Sequence, residues 1–146
     1  MGLDTTHGAF HGAYGAFNRF RQIVAKAMGG SYPPHENPLV CSDGDVIVDP
    51  DNGRFYVPYT WSEFQINNPG LSAFLLSNDC EGEFEPETCL QMANELESLL
   101  PAIAKIEEAN PAGGHLERDG GYVAVTKRYI EGCRLAHSLG EVLEYH

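Results

Sequence analysis

Apolar side chains recur at helical spacing over residues 13–28, with Tyr14, Phe17, Phe20, Val24 and Met28 on one side and Asn18, Gln22 and Lys26 on the other. The pattern predicts an amphipathic helix stopped by Gly29-Gly30. A second stripe of Cys89, Met92, Ala93, Leu96, Leu99, Leu100 and Ile103 follows Pro86, a residue suited to a first helical turn. Glu81, Glu83, Glu85 and Glu87 complement the positive end of that helix, and Pro101 should kink or divide it near Leu100. Past the Asn110-Pro111-Ala112-Gly113-Gly114 break, Tyr122 to His137 reads as a third helix. Tyr122, Val125, Tyr129, Cys133 and Ala136 point inward there, with Lys127, Glu131 and Arg134 outward.

The remaining pattern is shorter in period. Residues 31–45 carry three prolines and several turn formers and read as a surface loop in which His35 is solvated. Two β-rich runs flank Asn52-Gly53, a hairpin signal, and Pro58 marks an edge or an end. Trp61 and Phe64 are expected to pack that hairpin onto the helices. The run Leu71-Ser72-Ala73-Phe74-Leu75-Leu76-Ser77 fits a buried strand or a helical turn, and Val142 to Tyr145 resembles a closing strand after Gly140. Together these elements predict a single α+β domain over residues 1–146, with three main helices packed on a small, largely antiparallel sheet.

Composition narrows the partners. Twenty-one acidic against nine basic residues give a formal charge of −12, which repels phosphate backbones and anionic lipid. Direct nucleic-acid and membrane binding are therefore not expected, while docking on a basic protein surface is compatible. No apolar run reaches the roughly 20 residues that span a bilayer. With no secretory leader read ahead of Gly2-Leu3-Asp4, and no CxxC pair among Cys41, Cys80, Cys89 and Cys133, reduced thiols in a host cytoplasm are expected. Cys89 and Cys133 lie on apolar helical faces, where a thiol acts as a small hydrophobe.

Two corners concentrate chemistry. In the first 21 residues Asp4, His7, His11, Asn18, Arg19 and Arg21 are crowded among glycines and aromatics. His7 and His11, four apart, would share a helical face and could bind a metal with Asp4 as third ligand. Gly8 and Gly12 leave that geometry poorly fixed, so no tightly bound metal or other cofactor is expected. Two other readings stay open: the histidines satisfy backbone groups near a turn capped by Asp4 or Thr5, or the amides near Gly8 and Gly12 cradle an anion with Arg21 close by. At about 100° per residue Arg21 borders the apolar stripe beside Phe17 and Arg19 projects away, which makes Arg21 the candidate pocket wall. An arginine whose stem lies over its aromatic neighbours fits the same pattern. The second corner is Ser77-Asn78-Asp79-Cys80-Glu81-Gly82-Glu83, which lacks the alternating oxygen ligands of a calcium loop. Its carboxylates oppose a thiolate at Cys80. The two corners are expected to meet in space, with Asp79 and Glu81 joining Asp4, His7, His11 and Arg21 at a ligand site.

At these corners the chain resembles small uncharacterised proteins of bacteriophage and prophage regions. Those proteins start MGLD-x-(T/S)H, continue with G-x-Y-x-x-F and an arginine, carry an SDCDGE-like central turn, and end a final helix in Gly-Glu before a short strand. The matching positions here are Met1 to Asp4, Thr6-His7, Gly12, Tyr14, Phe17 and Arg21, then Asn78 to Glu83, then Gly140-Glu141. A histidine associated with the position before the turn is Ser77 here, which counts against a metal site that needed it. The resemblance implies phage origin and an α+β fold, and brings no activity with it.

The leading expectation is a non-catalytic phage-type accessory or counter-defence protein that sequesters a small anionic ligand, such as a nucleotide signal. One alternative is an acidic inhibitor that occupies a nucleic-acid-binding surface of a host protein. The other is a metal-dependent hydrolase using Asp4, His7 and His11 with a bound water as nucleophile. Neither the ligand nor self-association into oligomers is decided by the residues.

Overall fold

The computed structural model describes residues 2–28, 67–77 and 81–146. The 31–45 loop with His35, the hairpin about Asn52-Gly53, Trp61, Phe64, Cys41, Asp79 and Cys80 lie outside the described residues. Within them the chain is α+β. Helix α1 spans Tyr14–Ala27, α2 Pro69–Leu76, α3 Pro86–Ala109, α4 Gly114–Arg118 and α5 Tyr122–Leu139. Short strands are β1 Gly2–Asp4, β2 His11–Ala13, β3 Gly82–Phe84 and β4 Leu143–Tyr145, and a 3-10 turn over Thr6–Gly8 links β1 to β2.

The helical stripes lie where their periodicity puts them. Phe17, Phe20 and Val24 of α1, Cys89, Met92, Ala93, Leu96 and Ile103 of α3, and Tyr122, Val125, Tyr129, Cys133 and Ala136 of α5 are all buried. Helices α3 and α5 form the main packed pair, with α1 and α2 against α3. The ambiguous run at 71–77 resolves as helix, entered at Pro69, because Leu71, Phe74 and Leu75 then reach one core. Phe74 packs edge-to-face on Phe20 at 5.3 Å and on Tyr129 at 5.1 Å between ring centroids. Each such pair adds about 0.5–1.5 kcal/mol beyond burial.

Pro101 does not divide α3, which runs unbroken from Pro86 to Ala109. Proline forfeits one helical hydrogen bond, but Leu96 and Ile103 on either side of it are fully buried, and that shared burial holds both halves in one helix. Two carboxylates of α3 then cap other helices. Glu95 accepts from the amides of Gly70 (2.8 Å) and Leu71 (3.0 Å), and Glu107 from that of Val123 (2.9 Å), so the unpaired first-turn donors of α2 and α5 are met from a neighbouring element.

The sheet joins the two ends of the chain. β1 pairs antiparallel with β2, matching Asp4 to His11, and β3 pairs antiparallel with β4, matching Gly82 to Tyr145. A bridge between Thr5 and Tyr145 connects the two ribbons, and Asp4 and His146 exchange backbone hydrogen bonds of 2.8 and 2.9 Å. Leu3, Phe84, Leu143 and Tyr145 face the core. Among the described residues no helix is long and apolar enough to cross a membrane.

Candidate functional site

The N-terminal corner is built by a tight reversal. After β1, His7 (φ 62°) and Gly8 (φ 69°) both take left-handed backbone, turning the chain back into β2. Glycine adopts this freely, whereas histidine incurs about 1–2 kcal/mol. The hydroxyl of Thr5 closes the loop by donating to the Phe10 carbonyl (3.0 Å) and accepting from the Phe10 amide (2.6 Å). The turn then lies flat on α5 because Gly132 has no side chain: a Cβ there would stand 2.5 Å from that of Ala9.

The imidazole of His7 is held from both sides. Its side chain is only 11% exposed, with Nδ1 2.8 Å from Thr6 Oγ1 and Nε2 3.1 Å from Glu141 Oε1, just beyond the Gly140 end of α5. A carboxylate can only accept, so Nε2 carries the proton and, in the neutral ring, Nδ1 accepts from the Thr6 hydroxyl. Thr6 Oγ1 also accepts the Glu144 amide at 3.0 Å. His11 has a different partner: its Nδ1 lies 2.7 Å from Asp4 Oδ1 in an exposed cross-strand pair. The two histidines therefore do not share a helical face, since a reversal and a strand replace the helix that four-residue spacing assumed. Among the described residues no three His, Cys, Asp or Glu side chains converge on a metal position.

Glu81 comes to the same side of the molecule. Gly82 and Thr5 both pair with Tyr145, so β4 stands between β3 and the N-terminal turn. An open groove of about 480 Å³ is lined by Glu81, Gly82, Glu83, Glu144, Tyr145 and His146. Glu83 sits directly opposite Glu144 on its exposed face. The closing strand read near Val142 to Tyr145 is present as β4, but its partner β3 was missed, because a three-residue strand carries almost no alternation.

Arg21 goes the other way. It is 0% exposed, its guanidinium carbon 4.6 Å from the Phe17 ring centre and 5.8 Å from that of Phe74, and Nη2 donates to Ser77 Oγ. Among the described residues Arg21 thus forms part of the core beside Ser77. Arg19 projects outward to Gln22, as its helical angle predicts. The thiols of Cys89 and Cys133 are both buried, as expected of small hydrophobes, and meet across α3 and α5. A hydrogen bond with Cys89, reinforced by burial, holds the Cys133 thiol far above its usual range. Compared with known protein families, curated proteins and solved structures, the chain matches none.

Proposed function

We propose that this chain is an acidic accessory protein, of the bacteriophage kind that its motifs resemble, which docks on a basic surface of a host protein through the ribbon that joins its ends. The observation that carries the reading is the placement of Glu83 opposite Glu144 on the open groove, with Glu81 beside them. Like charges directly across an antiparallel pair cost up to about 1 kcal/mol, and cationic side chains of a partner would relieve that repulsion. A charge of −12 steers such an encounter at long range. Binding of a lysine-rich peptide, followed by calorimetry at low and high salt, tests this: affinity should fall with salt and weaken in Glu83→Gln and Glu144→Gln. Equal affinity in wild type and both variants would refute it.

Sequestration of a small anionic ligand such as a nucleotide stands second. Its support is the reach of Arg21 to Ser77, which ties one strong cation to the second corner. The carboxylates of Asp4, Glu81, Glu83, Glu141 and Glu144 repel an anion from the groove, so this ligand would depend on Arg21. A nucleotide released by heat denaturation of purified protein would put this reading first.

A further inference from the structure

We propose that Thr6, His7 and Glu141 form a nucleophilic relay that cleaves small neutral or cationic acyl esters, an activity beyond docking. Three side chains in series, hydroxyl to imidazole to carboxylate, are hydrogen bonded at 2.8 and 3.1 Å. This is the arrangement in which a weak hydroxyl nucleophile is activated by a base that a third group orients. The tautomer that Glu141 enforces, Nε2–H, leaves Nδ1 free to take the Thr6 proton. His7 is held in a left-handed conformation that a histidine rarely adopts, and the backbone there is costly. His7 and Glu141 are 134 positions apart in the sequence, so their contact exists only because β4 and the end of α5 are brought to the N-terminal turn. Glu144, whose amide binds Thr6 Oγ1, also lines the open groove, so the hydroxyl lies next to a groove-lining residue. The surrounding carboxylates exclude anionic esters.

The chemistry balances without a cofactor. The Thr6 oxygen attacks the ester carbonyl carbon while His7 Nδ1 takes the hydroxyl proton; the C–O bond to the leaving alcohol breaks and the imidazolium returns the proton to it. Water, deprotonated by the same imidazole, then attacks the acyl-threonine, and Thr6 recovers its proton as the acid departs. Glu141 is a positioning residue: its carboxylate accepts from the imidazole Nε2–H and so orients the ring.

The test uses the full chain with p-nitrophenyl acetate, an activated ester whose leaving group needs little protonation. Exposed imidazoles such as His11 give background hydrolysis, so the decisive readout is acetyl on Thr6, located by peptide mass mapping after an acid quench. An acetyl group at position 6 should form in the wild type and in Thr6→Ser and be absent in Thr6→Val. His7→Asn, which tolerates left-handed backbone, should slow acylation about 10²–10⁴-fold. Glu141→Gln should lower kcat with KM unchanged. If natively folded wild type yields no acetyl-Thr6, or if His7→Asn with unchanged circular dichroism acylates at the wild-type rate, the three side chains are only a structural clamp and the proposal fails.

Discussion

The aromatic cluster around Arg21 and the ribbon around Asp4 hold polar groups under opposite conditions. Arg21 is fully buried between Phe17 and Phe74, in a layer that also contains Phe20 and Tyr129, where a missing partner would cost the whole desolvation penalty. Asp4 and His11 form a comparably short contact, but their side chains are 60% and 84% exposed, where water competes for every bond. Contact distance is thus a poor guide to energetic weight in this molecule; burial decides. His7, 11% exposed on a surface ribbon, lies between the two regimes.

The sharpest way to break the comparison is Arg21→Ala. Losing a large buried side chain and its ring contacts should cost about 2–4 kcal/mol in urea unfolding, whereas Arg19→Ala stays within about 0.5 kcal/mol. If ligand binding alone were lost with stability intact, Arg21 would belong to a site and not to the core. Gly132→Ala comes next, since its new Cβ would meet the Ala9 backbone: a loss of about 1–3 kcal/mol is expected, accompanied by perturbed histidine NMR signals at His7.

The third effect is a slope with pH. Burial, foremost, holds the Tyr129 hydroxyl well above the usual tyrosine range. In the unfolded chain tyrosine ionises near pH 10, so above that pH the folded state retains a proton that the unfolded state has lost. Stability should be unaffected by Tyr129 below pH about 10 and fall by about 1.4 kcal/mol per further unit until the folded value is reached; Tyr129→Phe should remove that part of the alkaline slope. On the ribbon, Glu83→Gln relieves the repulsion with Glu144 and should stabilise by about 0.2–1 kcal/mol at low salt, the gain shrinking as salt is added. Least of all, Asp4→Ala or His11→Ala should change stability by about 0.5 kcal/mol or less, and a larger loss would show that the exposed pair is coupled to the His146 backbone bonds.

The long helices were legible and, apart from the closing strand near Val142 to Tyr145, the ribbon was not, for one physical reason. In α1, α3 and α5 several turns repeat the same burial, so Phe17, Met92 or Tyr129 could be placed from spacing alone. Each strand has three residues, and His7 with Gly8 turns by backbone conformation, which leaves no periodic trace. Hence the metal reading of Asp4, His7 and His11 assumed a shared face that does not exist, while the expected meeting of the Asp79-Cys80-Glu81 turn with the N-terminal corner rests on a turn whose Asp79 and Cys80 lie outside the described residues.

By itself the sequence determined the class and the stripes: amphipathic period, proline and glycine punctuation, and a surplus of acid are local or compositional quantities. It determined that Arg21 borders an apolar face, but not whether that border would be open or sealed. The partners of His7, the capping of α2 and α5 by Glu95 and Glu107, and the facing of Glu83 by Glu144 were decided only in the tertiary structure. Each joins residues from separate elements, and such contacts exist only once buried stripes have chosen how the helices pack and where the two chain ends meet.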